Sequence, residues 1–212
     1  MFEYNGLEVF WDGHASVRLK DNGFTVAVDP YSKVSEGFEA DIVLVTHADS
    51  GHLDRDFLKE VCTGRTCVIV PESIEEELPC MDVERVSEGE VLDVYNVEIE
   101  AVPMKNAMRG HAEGVGYRFA MGDTVVYVAG DAGVMEEAHD LENKIDIAFL
   151  PVDGVYTMDQ EEAVKMAVRI KPDVVVPYHY GEPFFEPGTS LKGFKSALED
   201  RNIECRIIDR ED

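Results

Sequence analysis

Apolar and polar residues alternate with a two-residue period along much of the first hundred positions, which predicts strands with one face buried. Residues 7–11, 16–20, 24–29 and 41–46 are the first four such segments. Asn22-Gly23 lies between the second and third, and this pair marks a two-residue type I′ hairpin turn. A short helix is predicted over about 55–62 with Asp54 as its N-cap, followed by strands over 66–70, 83–86, 91–95 and 97–102. The second half repeats the theme. A hairpin over 116–121 and 124–129 turns at Gly122-Asp123, and a helix over 134–141 precedes a buried strand over 145–150. An amphipathic helix over 159–170 carries Ala163, Met166, Ala167 and Ile170 on one stripe, with Thr157 and Gln160 as a capping box. A strand over 173–176, a helix over 191–198 and a strand over 203–208 complete the pattern.

Early hairpins followed by alternating strand and helix predict an α/β (α+β) sandwich, with two mixed sheets face to face and helices on both outer faces. One domain over 1–212 is expected, built of two pseudo-repeated halves, about 1–108 and 109–212. Strand ends then converge on one rim, where sites in such folds gather.

Composition narrows the function. Hydrophobic residues make up 45%, which is enough for a packed core. With 19 basic and 44 acidic residues the net charge is −25, a field that repels nucleic acid and anionic membranes. No apolar run approaches the roughly 18 residues that span a bilayer, and the opening residues do not read as a secretory leader. These features predict a soluble cytoplasmic chain without nucleic-acid or membrane partners; homo-oligomerisation is compatible with them. Cys62, Cys67, Cys80 and Cys205 form no C-x-x-C pair and are expected as reduced thiols.

Chemistry concentrates where the apolar run 41–46 ends. His47, Asp49 and His52 offer metal donors within six residues, at a point where a rigid strand meets a loop. Imidazole with carboxylate suits Zn²⁺, Mn²⁺ or Fe²⁺. Further donors follow at strand-flanking loops: His111, Asp131 between two glycines (Gly130-Asp-Ala-Gly133), and His179 in Val176-Pro-Tyr-His-Tyr-Gly. Each has a plainer reading. The histidines suit loop hydrogen bonds, Asp131 suits a turn, and Asp49 is one acid among many.

The order of these blocks resembles that of the metallo-β-lactamase-fold hydrolases, most closely the branch related to the L-ascorbate-6-phosphate lactonases. Five stretches carry the resemblance across nearly the whole chain. They are Trp11-Asp-Gly-His-Ala-Ser-Val; Val28-Asp-Pro with Val45-Thr-His-Ala-Asp-Ser-Gly-His; Ala101-Val-Pro-Met-Lys-Asn through Gly114-Val-Gly-Tyr; Tyr127-Val-Ala-Gly-Asp; and Ile145-Asp-Ile-Ala-Phe-Leu-Pro-Val-Asp through Val176-Pro-Tyr-His-Tyr-Gly.

The resemblance implies a four-layer αββα sandwich with two metal positions between the sheets. His47, Asp49 and His111 would hold the first metal, His52 and His179 the second, and Asp131 would bridge both. A water held there has its pKa drawn towards about 7 and serves as the nucleophile, with Asp131 and Asp49 as the catalytic carboxylates. Asp29 and His14 would support the ligands from behind. Such chemistry predicts a hydrolase of a small anionic ester, lactone or phosphodiester.

Two departures bear on that expectation. The family reads His-x-His-x-Asp-His, whereas this chain has Asp49 for the second histidine and Gly51 for the aspartate. Zn²⁺ is expected as cofactor, with Mn²⁺ or Fe²⁺ favoured by the oxygen donor of Asp49, and the second position is expected to be weak. A catalytically degenerate metal-binding or interaction module is the alternative. His47, Asp49 and His111 also form the two-histidine, one-carboxylate set of mononuclear iron oxygenases. Lys105 and Arg109 flank His111 and are candidates for an anionic substrate group. Tyr156 and Tyr180 are candidates for hydrogen bonds to a developing oxyanion, or for packing with wet hydroxyls.

Overall fold

Residues 147–151 and 174–178 are buried on both faces because they lie between a core and a helical layer, whereas 7–13 and 91–94 alternate more buried with more exposed positions. The computed structural model describes residues 1–105, 113–135, 141–142, 144–181 and 190–209. The first sheet runs in chain order: β1 (Phe2–Tyr4), β2 (Leu7–Gly13), β3 (Ser16–Asp21), β4 (Phe24–Val28), β5 (Ala40–Leu44), β6 (Cys62–Pro71) and β7 (Asp82–Val86), with α1 (Arg55–Val61) between β5 and β6. The second sheet repeats the plan with β8 (Val91–Val94), β9 (Val97–Pro103), β10 (Val115–Met121), β11 (Thr124–Val128), β12 (Ile147–Pro151), β13 (Val174–Tyr178) and β14 (Glu204–Cys205). There α2 (Gln160–Ile170) follows β12 and α3 (Lys192–Glu199) follows β13. In both sheets the first four strands pair antiparallel and the remaining pairs are parallel.

Alternation assigns the layers. Ile42 and Leu44 of β5 face inward with Ile147 and Phe149 of β12, in a core shared by both sheets. Val43 and Val45 face outward onto Phe57, Leu58 and Val61 of α1. Ala148 and Leu150 face outward onto Ala163, Met166, Ala167 and Ile170 of α2 and onto Phe194 and Leu198 of α3. The result is the αββα sandwich expected from the sequence.

Local chemistry sets the turns. Asn22 (φ 48°) and Gly23 (φ 87°) both take left-handed backbone, as a type I′ turn requires, and Asn5-Gly6 makes a further hairpin of the same kind ahead of β2. Asp54 caps α1 by accepting from Phe57 N, as expected. The α2 cap differs: the box is Asp159 with Glu162, because the Thr157 hydroxyl donates to Asp153 instead. The strand expected over 203–208 shortens to Glu204–Cys205, and the three-residue β1 escaped the periodicity. Most of the helix expected over 134–141 lies outside the described residues.

One expectation is corrected. Cys62 and Cys80 are joined by a disulfide, whereas Cys67 and Cys205 are free and buried. Cys62 caps the C-terminus of α1 and lies 6.0 Å (Cα–Cα) from Cys80 in the loop before β7, a separation within disulfide range. Spacing along the chain did not reveal this approach, which depends on the β6–β7 crossover.

Candidate metal centre

The site forms where parallel strands end. After β4, Asp29 turns into left-handed backbone (φ 45°) and is completely buried. Its carboxylate accepts from Thr46 N at 2.7 Å and from Thr46 Oγ1 at 2.6 Å, which fixes the chain just beyond β5. It also lies 2.8 Å from His52 Nδ1, and Thr46 Oγ1 lies 2.9 Å from His47 Nδ1. A carboxylate only accepts, so His52 Nδ1–H donates to Asp29. Thr46 Oγ1 donates to Asp29 and is left to accept from His47 Nδ1–H. One carboxylate thus orients two imidazoles.

The second sheet supplies the opposite wall. Gly130 (φ 62°) follows β11 and leads to Asp131; its left-handed backbone disfavours a side chain, and a Cβ there would also crowd Thr46 Cβ at 3.2 Å. Asp153 lies just past β12, and His179 (φ 58°) just past β13. His179 Nδ1 lies 3.0 Å from Asp153 Oδ2, which repeats the arrangement of His52 and Asp29. Backbone hydrogen bonds join the walls: Val115 N donates to Thr46 O at 2.9 Å, and His179 N to His14 O at 2.8 Å.

With each Nδ1 engaged behind, the Nε2 atoms face Asp131. His52 and His179 lie 3.3 Å and 3.2 Å from Oδ1, and His47 lies 3.7 Å from Oδ2. Asp49 Oδ2 stands 3.7 Å from His47 Nε2 on the more open side, with its side chain 52% exposed. Burial lowers the His47 pKa to about 3 and that of His52 to about 4, so both imidazoles are neutral and keep a lone pair at neutral pH. Burial also opposes charge on His179, but Asp131 and Asp153 outweigh it and raise that pKa.

The two supporting carboxylates differ. Burial raises the Asp29 pKa to about 7 despite its hydrogen bonds. Burial works in the same direction on Asp153, yet hydrogen bonds from His179, Thr157 and Tyr156 N together hold it at about 2.

The donors fit a transition metal. They are imidazole nitrogens and carboxylate oxygens from three chain segments, 47–52, 131 and 179, and His47, His52 and Asp131 bring one donor atom each to within 4.8 Å of one another. His47 Nε2 is buried and has no hydrogen-bond partner among the described residues. A coordinated cation accounts for a buried acceptor left in that state.

The structure therefore brings together His47, Asp49, His52, Asp131 and His179, with Asp29 behind them. His111 and Arg109 lie outside the described residues. The main chain of Lys105 accepts from Gly133 N, next to the Asp131 loop, and its side chain is exposed. Tyr156 is exposed beside Asp153, and its backbone N–H donates to Asp153. Tyr180 stacks on Trp11 with ring centroids 4.6 Å apart. Sequence reasoning missed Asp153. Its signal was its place after an apolar strand, as at Asp29.

A sandwich of two mixed sheets with histidines and carboxylates gathered at its strand ends defines a metal-binding αββα protein. The model of the beta-lactamase superfamily domain matches residues 8–179, and the chain belongs to that superfamily. It is 29% identical over 225 residues to a UPF0173 metal-dependent hydrolase of Methanopyrus kandleri, covering 95% of this chain and 96% of the relative. A UPF0173 metal-dependent hydrolase of Thermoplasma acidophilum is 31% identical, over 82% of this chain and 83% of that protein. Among solved structures, a protein of Parabacteroides distasonis described as a candidate metal-dependent hydrolase superposes with a TM-score of 0.84. It is 33% identical, with 95% of this chain and 92% of that one covered.

Proposed function

We propose that this protein is a metal-dependent hydrolase of a small anionic ester, lactone or phosphodiester, with Zn²⁺ as the first choice of ion and Mn²⁺ or Fe²⁺ as alternatives. The observation that carries the reading is the convergence of His47, His52 and His179 Nε2 on the two oxygens of Asp131 in a buried groove. Membership of the superfamily and the names of the relatives support it.

His47, Asp49 and Asp131 would hold an ion on the Oδ2 side, and His111 would join them. His52, His179 and Asp131 would hold one on the Oδ1 side. A bound ion supplies Lewis acidity and a water acidified towards about pH 7. The chain's own residues do the rest. Asp29 and Thr46 hold His47 and His52 in the tautomer that aims Nε2 inward, and Asp153 does so for His179. Lys105, with Arg109, is assigned to an anionic substrate group. Tyr156, exposed at the rim, is assigned to a hydrogen bond with the developing oxyanion. Tyr180 is assigned a packing role because its ring is stacked on Trp11. The −25 charge supports a small substrate rather than a polynucleotide, and among the described residues no helix is long and apolar enough to cross a membrane. We assign the protein to the cytoplasm as a single domain.

Gly51 and Asp49 favour a second reading, a metal-binding module without hydrolysis. The test is metal content by plasma mass spectrometry together with a panel of phosphodiesters, lactones and esters, before and after chelation. Hydrolysis that disappears with the metal and returns on its addition supports the enzyme. Metal without turnover supports the module, and protein that binds no transition metal refutes both.

A further inference from the structure

Position 51 is where the resemblance calls for a carboxylate at the second metal position, and Gly51 offers none. The space is nevertheless filled. A Cβ on Gly51 would lie 2.6 Å from His14 Cε1, 3.3 Å from Nδ1 and 3.4 Å from Nε2. The His14 ring occupies the volume a side chain at 51 would need, so glycine at 51 and histidine at 14 are sterically matched.

His14 arrives from the β2–β3 turn, in the other part of the chain's first sheet. It is 5% exposed and its backbone is left-handed (φ 49°). Two hydrogen bonds hold it there: Trp11 Nε1 and His179 N each donate to His14 O at 2.8 Å. The ring centroid lies 4.3 Å from that of His179 and 5.2 Å from that of His52. One nitrogen from each of His14, His52 and His179 falls within a 4.8 Å span. The His52 and His179 Nε2 atoms already face Asp131 Oδ1.

The left-handed backbone belongs to the two-residue turn between Gly13 and Ser16, and that turn delivers the ring to two imidazoles that carboxylates orient from behind. We propose that His14 is a ligand of the second metal position, in place of the carboxylate absent at 51. His14, His52 and His179 together with Asp131 then make four donors, the number a tetrahedral zinc site uses. The inference rests on the reading of the groove as a metal centre, and it replaces the weak second position expected from the motif with a complete one.

The test is zinc titration of chelator-stripped protein, read by calorimetry and by bound metal after dialysis. Wild type is expected to hold about two ions, and His14→Ala about one. A residue that merely supports a ligand costs roughly 10–100-fold in affinity and keeps the stoichiometry; loss of an ion exceeds that. In the double variant His14→Ala with Gly51→Asp, the vacated space admits the aspartate, and about two ions are expected again. Wild type with one ion, or His14→Ala with two held as tightly as in wild type, overturns the proposal and leaves the hydrolase reading intact. Wild type with none overturns both. If circular dichroism shows that His14→Ala does not fold, zinc-edge anomalous diffraction from wild-type crystals decides. A peak within bonding reach of a His14 nitrogen supports the assignment, and peaks confined elsewhere refute it.

Discussion

The two sheets share one strand plan but reach the groove with differently prepared carboxylates. Asp29 in the first half sits in a dry slot between β4 and β5, and through Thr46 it orients His47 as well as His52. Asp153 in the second half lies in a cup of donors, Val155 N, Tyr156 N and the Thr157 hydroxyl, and orients His179 alone. Burial dominates the first, and hydrogen bonds dominate the second. The same geometric task, holding an imidazole by its Nδ1, is met once by enclosure and once by local turn chemistry. The outer layers differ in parallel. The first sheet is covered by the seven-residue α1 and the Cys62–Cys80 link, the second by α2 and α3, of eleven and eight residues.

The sharpest way to break this picture is at the residue both halves share. Asp131→Ala removes the carboxylate that faces all three Nε2 atoms, and a loss of about 1000-fold or more in hydrolysis is expected, with bound metal falling in parallel. Unchanged metal content would mean the halves bind independently. Reduction of Cys62–Cys80 is expected to lower stability by about 2–4 kcal/mol in urea melts, with zinc affinity unaltered, because the link braces only the outer layer. Asp29→Asn and Asp153→Asn should each weaken zinc by roughly 10–100-fold in chelator competition. The Asp29 variant belongs at the upper end because two histidines depend on it, and equal losses would erase the distinction. The smallest effect concerns the hairpins. Asn22→Ala is expected to cost about 1 kcal/mol, since position 22 requires left-handed backbone. Asp123→Ala in the matching hairpin should be close to neutral, because there only Gly122 has positive φ.

The sequence disclosed elements whose signals are local. Asn22-Gly23, the Asp54 cap and the alternation through 41–46 each translated into the expected structure, because turn sterics, capping and a two-sided burial pattern act over a few residues. The convergence of His47, His52 and His179 followed from strand ends marked by glycine or proline. What stayed hidden depends on distant pairs. The Cys62–Cys80 contact requires the β6–β7 crossover to be known. The approach of His14 to Gly51 requires a turn from one hairpin to fold over a loop from another. Asp153 was obscured because an acid in a chain with 44 acidic residues carries little information until its neighbours are seen.

The main-chain bonds from Val115 to Thr46 and from His179 to His14, together with the Tyr117 hydroxyl donating to Val45 O at 2.9 Å, stitch one sheet to the other at the mouth of the groove. A clamshell motion of the halves would have to tear that seam. The ligands of the two sheets are thereby held in register by main-chain bonds, so a substitution that swaps a ligand side chain leaves the scaffold that carries it intact.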